Sequence, residues 1–512
     1  MARTKQSKAK ESKPKQTVSL TPSAQDECLR NSDLLDQIFR FVPPSSESGE
    51  ADMNAARKTL YSAALISRTL SYSALKVLWH RLDNLLPLLR LLPTFKRSGS
   101  FYVLPGVVDD AAWEVFDRHA AYVREILYQR SAPVNPVVYV RLAMHKAVLL
   151  PNLSRFDCPG ANLSPGPDLV LFTSPLLVSL RLEAETRSDT DPETFLNMLS
   201  VVAAPLAHLT LANYPNSVLS SCTLFQKLQS INLTSLGGPV VTSAFHDLGS
   251  LPVLESLTTD LEGWDKVNFE SIAPGTMFRA LKRLHISGGA QGTIPLLLAR
   301  IGSNSVVSIS VFLSHYYRYG KPDNSEDFAA IAESISSRWP ITLAHLNLRG
   351  VRCAPEDFSA LQGATKIQTL ELRQSLQGSL TDARVLAIFR TWSELTSLTI
   401  DGAEADMEVL ICLAEHCTAL RALHIAFFPD PLPELSTTPV LVRALTELRF
   451  LPTTKRDYHW HQVDLHLLAR HLDRLFPQVV SIVGQGGSHK WNEVAKLVSM
   501  CQDVRRTAWD QK

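Results

Sequence analysis

The stretch LAHLNLRG, residues 343–350, decides the fold of this 512-residue chain. Its large apolar residues stand at positions 1, 4 and 6, so the last two share one face of a strand and the residue between them points to the other face. The same spacing recurs in fourteen segments, and most of them start 22–30 residues after the one before. These segments begin at Val123, Leu153, Leu177, Leu206, Leu228, Leu254, Leu281, Val306, Leu343, Ile367, Leu395, Leu420, Leu445 and Val479.

Helical patterns fill the intervals between these segments. Residues 322–340, for example, carry an apolar stripe with the 3.6-residue period of a helix. A strand and a helix repeated at this interval are typical of leucine-rich repeats. The sequence therefore predicts an α/β solenoid over residues 123–484, with a curved parallel sheet inside and helices outside, followed by a C-terminal capping helix over 485–512. The two longest intervals, 37 residues before Leu343 and 34 before Val479, predict insertions or longer helices.

Residues 31–42, NSDLLDQIFRFV, follow a different pattern. Their spacing predicts a short helix that Asn31 or Ser32 caps and that ends before Pro43. A helix of barely three turns is marginal in water on its own, so its apolar stripe needs another surface to cover it. The stripe consists of Leu34, Leu35, Ile38, Phe39 and Val42.

The segment that contains this helix resembles the F-box, a motif of three helices. The F-box pattern opens with L-P-x-E-L-L-x-x-I-F-x-x-L, and the stripe matches its latter part, although the opening L-P is absent. Residues 65–68 match the end of the middle helix, and Leu78, Trp79 and Leu82 match the closing L-W-x-x-L. With the repeats, nearly the whole chain beyond residue 25 resembles the large fungal type of F-box/leucine-rich-repeat protein.

This resemblance divides the part of the chain before the repeats into three regions. They are a disordered basic tail over 1–25, an F-box module over 26–95 with a polar insertion at 43–57, and a connecting helix over 96–122.

The resemblance also implies a function, that of a non-catalytic substrate receptor of a Skp–cullin–F-box ubiquitin ligase. In that class the F-box binds the Skp adaptor, which bridges to a cullin–RING ligase, and the repeats bind a protein substrate. One alternative is that the first helix packs on the first repeats as a cap. A second is an interaction scaffold with no ubiquitin-ligase role. The residues that the resemblance assigns to the adaptor are Leu34, Leu35, Ile38, Phe39, Val42, Leu65, Leu78, Trp79 and Leu82.

A protein substrate would contact the strand positions that point away from the helices. In the N-terminal half these are mostly small: Ser179, Thr210, Ser230, Thr234 and Ser256. Further along the chain, the candidates are Arg283, His285, His345, Arg349, Glu371, Arg373, His424 and Arg449. Arginine pairs in a bidentate way with carboxylates and phosphates, so these residues predict an acidic or phosphorylated substrate. The alternative is ordinary solvated strand surface.

The composition argues against several other classes of protein. Residues 1–16 have a net charge of +5, and residues 17–512 have a net charge of −4. Residues 17–512 therefore lack the excess of basic residues that is typical of a nucleic-acid-binding domain. Seven cysteines without a CxxC pair predict reduced thiols, as in the cytoplasm or nucleus. No apolar run is long enough to span a membrane, and we expect a soluble protein.

No catalytic constellation or cofactor motif stands out in the sequence. His459, His461 and His466 have a spacing that could bind zinc, but no fourth ligand lies at metal spacing. A polar approach to a helix near residue 461 accounts for them more simply. We therefore expect a protein that is not an enzyme and that has no metal site and no cofactor.

Overall fold

The computed structural model describes most of the chain from residue 31 onward and divides it into two compact units. The first unit spans the described residues up to Phe95 together with Pro105–Ile126, and the second spans Lys96–Leu104 and Leu127–Lys512. The described residues are 31–42, 50–128, 134–159, 169–184, 192–203, 205–237, 242–264, 266–289, 292–313, 325–351, 353–373, 378–429, 431–441, 443–452, 463–484 and 488–510. The predicted basic tail over 1–25 lies outside them.

Three helices open the first unit: α1 (Ser32–Arg40), α2 (Glu50–Ile66) and α3 (Arg68–Leu78). The predicted N-cap of α1 is confirmed, because the Asn31 side chain accepts hydrogen bonds from the backbone N–H groups of Asp33, at 3.0 Å, and Leu34, at 3.2 Å. The helix α2 begins within the predicted polar insertion. Its first turns contain three alanines together with glutamate, methionine and arginine, all good helix formers, so residues 50–57 are helical rather than a linker.

These three helices share a small apolar core. Its buried residues are Leu35, Phe39, Leu60 and Ala74, and half-buried side chains such as Leu78 pack around them. At its border the Lys76 ammonium pairs with the Asp36 carboxylate at 2.5 Å, which ties α3 to α1. Part of the stripe on α1 is therefore covered within its own unit.

The rest of the region before the repeats differs from the single connecting helix that was predicted over 96–122. A two-stranded antiparallel hairpin forms first, from Lys96–Ser98 and Phe101–Val103, and it belongs to the second unit. A helix follows at Asp110–Ala120, where Asp109 caps its N-terminus by accepting from the Ala112 N–H at 2.7 Å. The first unit also contains a short helix at Leu86–Leu89.

All fourteen predicted repeat segments contain a strand, and each strand begins two residues after the first apolar residue of its segment. Strand β1 pairs in parallel with the short strand Arg81–Leu82, and strands β2 to β14 are parallel neighbours in chain order. The repeat strands are β1 (Glu125–Leu127), β2 (Arg155–Cys158), β3 (Ser179–Glu183), β4 (His208–Ala212), β5 (Ser230–Thr234), β6 (Ser256–Asp260), β7 (Arg283–Ser287), β8 (Ser308–Phe312), β9 (His345–Arg349), β10 (Thr369–Arg373), β11 (Ser397–Ala405), β12 (Ala422–Phe427), β13 (Glu447–Leu451) and β14 (Ser481–Gly484).

Helices connect the strands of the second unit and cover one face of its sheet. The strand residues at positions 4 and 6, such as Leu346 and Leu348 in β9, are buried beneath them. The 14-residue helix Ser325–Arg338 occupies the 37-residue interval, which confirms the predicted longer helix there. A further short strand, Gly378–Ser379, pairs with β11. The α-helices are Pro136–His145, Glu193–Val202, Val218–Cys222, Thr242–Gly249, Lys266–Glu270, Thr293–Arg300, Ser325–Arg338, Ala383–Phe389, Met407–His416, Leu465–Leu475 and Ser488–Asp510, and the 3-10 helices are Leu169–Phe172, Pro355–Leu361 and Leu435–Thr437.

Side chains donate to backbone carbonyls that come earlier in the chain, either at the end of a helix or in the segment that follows a helix. The last carbonyls of a helix have no partner within the helix and must find one elsewhere. The Arg338 guanidinium donates to Ala299 O at 3.1 Å, and the Trp339 indole donates to Ser303 O at 2.7 Å. Four more contacts of this kind are Arg300 to Phe269 O, Trp392 to Ala364 O, Arg443 to Ala414 O and Gln502 to Val479 O. Neighbouring repeats are thus joined by hydrogen bonds as well as by apolar packing.

A glycine after β9 allows the chain to pass close to the neighbouring repeat. Gly350 has a φ of +76°, and a Cβ atom there would lie 2.4 Å from Leu313 O. We expect Gly350→Ala to lower the free energy of unfolding by about 2–4 kcal/mol, since it adds a backbone clash to a left-handed conformation. Gly263, with a φ of +81° and no atom within 4 Å, is the matched control. Gly263→Ala should cost only about 1 kcal/mol in urea unfolding, and equal losses in the two variants would contradict the clash.

None of the helices in the described part of the chain combines the length and the apolar character that crossing a bilayer requires.

Candidate binding surfaces

The helix α1 leaves large apolar side chains in contact with water. Leu34 is 42% exposed, Ile38 is 50% exposed and Phe41, the C-cap residue, is 88% exposed. These residues follow one another at intervals of four and three, so they lie along one side of the helix. We call Leu34, Ile38 and Phe41 the α1 apolar surface. A surface of this kind favours a protein partner that covers it.

The structure separates the nine predicted adaptor residues into three groups. Leu34, Ile38 and Leu65 are exposed, and Val42, Leu78 and Trp79 are half-buried. Leu35, Phe39 and Leu82 are buried, so their side chains lie inside the first unit rather than on its surface. Trp79 meets the His119 ring edge-on with 4.8 Å between ring centroids. Sequence reasoning missed Phe41, although it lies seven residues after Leu34 and so falls on the same side of the helix.

The Asp36–Lys76 ion pair orients α1 by an electrostatic contact. Burial alone would raise the pKa of the Asp36 carboxyl, but the hydrogen bond and the attraction from Lys76 outweigh it and leave that pKa below its usual value. Asp36 is therefore ionised at neutral pH, and the pair helps to hold the α1 apolar surface in a fixed direction.

In the second unit, charged and polar side chains collect on the sheet face that points away from the helices, which we call the exposed sheet face. The predicted substrate residues come from five of its strands, β7, β9, β10, β12 and β13. The register makes Arg349 the Cα partner of both Phe312 and Arg373. The two arginines therefore lie side by side, as their positions in successive repeats predict.

Glu371 relieves the repulsion between the two arginines. Its carboxylate forms an ion pair with the Arg373 guanidinium, and it accepts a hydrogen bond from the Asn347 amide at 2.9 Å. The Arg349 side chain is exposed, and within the described ranges no carboxylate pairs with it. The two arginines thus differ, since one is neutralised by its own strand and the other is available to a ligand.

Towards the C-terminal end of this face, a second group of polar side chains crosses three strands. The His424 ring lies 3.3 Å from the Thr399 hydroxyl and 3.0 Å from the Glu447 carboxylate, and Arg449 donates to the same carboxylate at 3.4 Å. A hydroxyl, an imidazole and a carboxylate in line could suggest a nucleophile. However, Thr399 is buried, so a substrate could not reach its hydroxyl. The contacts therefore orient His424 and neutralise Arg449.

An aromatic pair lies next to Arg349 on the exposed sheet face. The rings of His285 and Phe312, on adjacent strands, have centroids 4.8 Å apart. Both side chains are half-buried, and burial lowers the pKa of His285. The imidazole is therefore neutral at pH 7, and the pair offers an uncharged surface beside an exposed cation.

The N-terminal half of the exposed sheet face carries more charge than the sequence interpretation recognised. Arg155, Asp157, Arg181 and Glu183 lie on β2 and β3, and the guanidinium of Arg181 lies 3.1 Å from the carboxylate of Glu183. Alternate residues of a strand point to the same face, and this alternation, which predicted the position of Arg349, also predicts the positions of these four residues. The opposite charges are paired within the group, so it offers no excess of either sign.

Within the described ranges, no group of three or more His, Cys, Asp or Glu side chains could hold a metal ion. His466 lies in the helix Leu465–Leu475, whereas His459 and His461 fall outside the described residues.

Comparisons with known proteins give structural neighbours but no relatives by sequence. No protein-family model matches the chain, and no curated protein matches it at a significant level. An internalin from Listeria monocytogenes aligns over 61% of this chain and 82% of its own, with 16% identity and a TM-score of 0.34. A chain of the yeast Rad7–Elc1 complex aligns over 83% of this chain and 93% of its own, with 12% identity and a TM-score of 0.35.

A third neighbour is the leucine-rich-repeat ectodomain of the Arabidopsis receptor kinase HAESA, solved in complex with an N-terminally extended IDA peptide hormone ligand. It aligns over 59% of this chain, with 14% identity and a TM-score of 0.32, and this chain spans about half of its length (47%). Similarity at this level assigns no activity. The architecture follows from the structure itself, which has recurrent parallel strands and helices on one face of the sheet. The chain has an α/β leucine-rich-repeat fold.

Proposed function

We propose that this chain is a non-catalytic substrate receptor of a Skp–cullin–F-box ubiquitin ligase that acts in the cytoplasm or nucleus. The observation that carries the proposal is the α1 apolar surface. The helices α1, α2 and α3 have a core of their own, yet Leu34, Ile38 and Phe41 remain in water. The resemblance of this segment to the F-box, and the repeats that follow it, support the same proposal.

In this proposal each unit of the chain has a separate partner. The α1 apolar surface inserts into an apolar groove of the Skp adaptor, in the manner of an amphipathic helix. The exposed sheet face binds a protein substrate through side chains that include Arg349 and Arg373. The chain itself performs no chemistry, since it raises the effective concentration of the substrate near a ubiquitin-charged enzyme.

Co-purification with a recombinant Skp adaptor tests the first half of the proposal. The full chain, co-expressed with the adaptor and a cullin, should retain the adaptor stoichiometrically and should retain the cullin only when the adaptor is present. A chain that is folded by circular dichroism but retains no adaptor would instead favour an interaction scaffold with no ubiquitin-ligase role.

Charge reversal on the exposed sheet face tests the second half. With the proteasome inhibited, Arg349→Glu combined with Arg373→Glu should abolish substrate capture, because an acidic or phosphorylated segment would then meet like charge. Adaptor binding should stay unchanged, and loss of the exposed Arg373–Glu371 ion pair should lower the free energy of unfolding by no more than about 1 kcal/mol.

The matched control reverses two arginines elsewhere on the same face. Arg155→Glu combined with Arg181→Glu makes the same change in net charge, and Arg181 stands beside Glu183 much as Arg373 stands beside Glu371. The control should keep the captured proteins. If both double variants capture the same proteins as the wild type, the substrate does not bind at Arg349 and Arg373.

A further inference from the structure

The ends of β8, β9 and β10 bring three side chains into one row. Phe312, Arg349 and Arg373 are successive Cα partners and occupy the same position of their repeats, so they point to the same face. Adjacent strands lie about 4.8 Å apart. The backbone beneath the row is fixed, because Leu313 N donates to Arg349 O at 2.9 Å and Gly350 N donates to Arg373 O at 3.0 Å. The backbone positions of the row are therefore set before any ligand arrives, which lowers part of the entropic cost of binding.

The charges along this row favour a ligand with a single negative charge. Arg373 is already paired with Glu371, whereas Arg349 makes no ion pair in the portion of the chain that the structure describes. A phosphate carries nearly two negative charges at neutral pH and would approach the Glu371 carboxylate on the next strand. A carboxylate carries one charge and matches one guanidinium through two hydrogen bonds.

The other side of Arg349 favours an apolar group. Phe312 is one strand away from Arg349 and packs against His285, whose ring is half-buried and neutral at pH 7 because burial lowers its pKa. A side chain that packs on this pair would cover apolar surface without meeting a charge.

We propose that Phe312, His285 and Arg349 bind an extended segment of a protein substrate in which an acidic side chain and an aromatic side chain are two residues apart. In an extended segment, next-but-one side chains share a face and lie about 6.8 Å apart. Phe312 and Arg349 are Cα partners on adjacent strands, so a segment with this spacing can place one side chain beside each of them. This inference specifies the substrate class of the proposed function and rests on it.

Synthetic peptides added to the full-length chain provide the test. The probe is a fluorescein-labelled peptide of glycine and serine that contains one phenylalanine and one glutamate two residues apart. Three companions replace the glutamate by glutamine, the glutamate by phosphoserine, or the phenylalanine by alanine. Binding is measured by fluorescence anisotropy with no ligase component present.

The glutamate peptide should bind about tenfold more tightly than the glutamine peptide, and more tightly than the phosphoserine peptide. Arg349→Gln should remove the preference for glutamate over glutamine, while Phe312→Ala should weaken both peptides. Arg155→Gln, an exposed arginine on β2, is the control and should bind as the wild type does.

Three results would overturn the inference. They are equal binding of the glutamate and glutamine peptides, tighter binding of the phosphoserine peptide, and no measurable binding of any peptide. Adaptor retention is measured on the same protein samples. A chain that retains the adaptor but shows one of these results leaves the ligase proposal standing and removes only this substrate class.

Discussion

Leu346→Asp is expected to unfold the repeats around β9. Leu346 is buried and pairs in register with Ile309 on β8 and Leu370 on β10. A carboxylate there would lie among apolar side chains, at a cost on the order of 5 kcal/mol or more. Because each repeat is stabilised chiefly by its neighbours, the loss spreads to the repeats on both sides.

Hydrogen exchange measured peptide by peptide would locate this effect. Protection should fall throughout residues 308–373, and the thermal unfolding transition should move to lower temperature. His345→Asp is the matched control, since His345 is exposed on the same strand, and it should change the free energy of unfolding by no more than about 0.5 kcal/mol. Equal behaviour of the two variants would mean that position 346 does not face the core.

Leu34→Asp combined with Ile38→Asp should abolish retention of the Skp adaptor. Both side chains are exposed in the free chain, so the unit should remain folded, whereas two carboxylates would be desolvated in the adaptor's groove. We expect the affinity to fall at least about 100-fold in a pull-down or by calorimetry. Arg40→Glu makes the same two-unit change in net charge on another exposed side of α1 and should leave binding intact.

The buried neighbour on the same helix should give a different result. Leu35→Asp places a charge in the core formed with Phe39, Leu60 and Ala74, so it should melt α1–α3 and lose the adaptor through unfolding. Circular dichroism distinguishes loss of adaptor binding through unfolding, expected for Leu35→Asp, from loss of binding by a folded chain, expected for Leu34→Asp with Ile38→Asp. Adaptor binding that survives Leu34→Asp with Ile38→Asp would exclude the α1 apolar surface as the contact.

The repeat architecture could be predicted because its signal is redundant. Fourteen segments share one spacing, and every one of them contains a strand. The elements that were missed have no such repetition: the pair Arg81–Leu82 has two residues, and the hairpin from Lys96 to Val103 is held by only two short strands. The start of α2 at Glu50 was missed because it directly follows a run of proline, serine and glycine that is typical of a linker.

The binding surfaces could be predicted only in part, because periodicity does not show which neighbours a face will meet. The stripe on α1 was recognised, but only the packing of α1 against α3 shows that Leu35 and Phe39 turn inward while Leu34 and Ile38 do not. On the exposed sheet face, alternation placed Arg349 and Arg373 side by side. The two arginines differ because the Glu371 carboxylate forms an ion pair with Arg373 and not with Arg349. Strand alternation does not predict which of these pairs forms.

Most side chains that donate to a backbone carbonyl of another repeat donate to the repeat before their own, although the Ser336 hydroxyl donates forward to Ala360 O. The guanidinium of Arg338, the indole of Trp392 and the amide of Gln502 each close carbonyls that come earlier in the chain. As the chain leaves the ribosome, each repeat therefore waits for the next one to complete its hydrogen bonds. Removing residues from the C-terminal side would leave these carbonyls without their side-chain donors, whereas removing residues from the N-terminal side would release the donors, and either removal would also expose backbone groups at a new sheet edge. The C-terminal end of the array thus depends on the helix Ser488–Asp510, whose Gln502 amide donates to Val479 O.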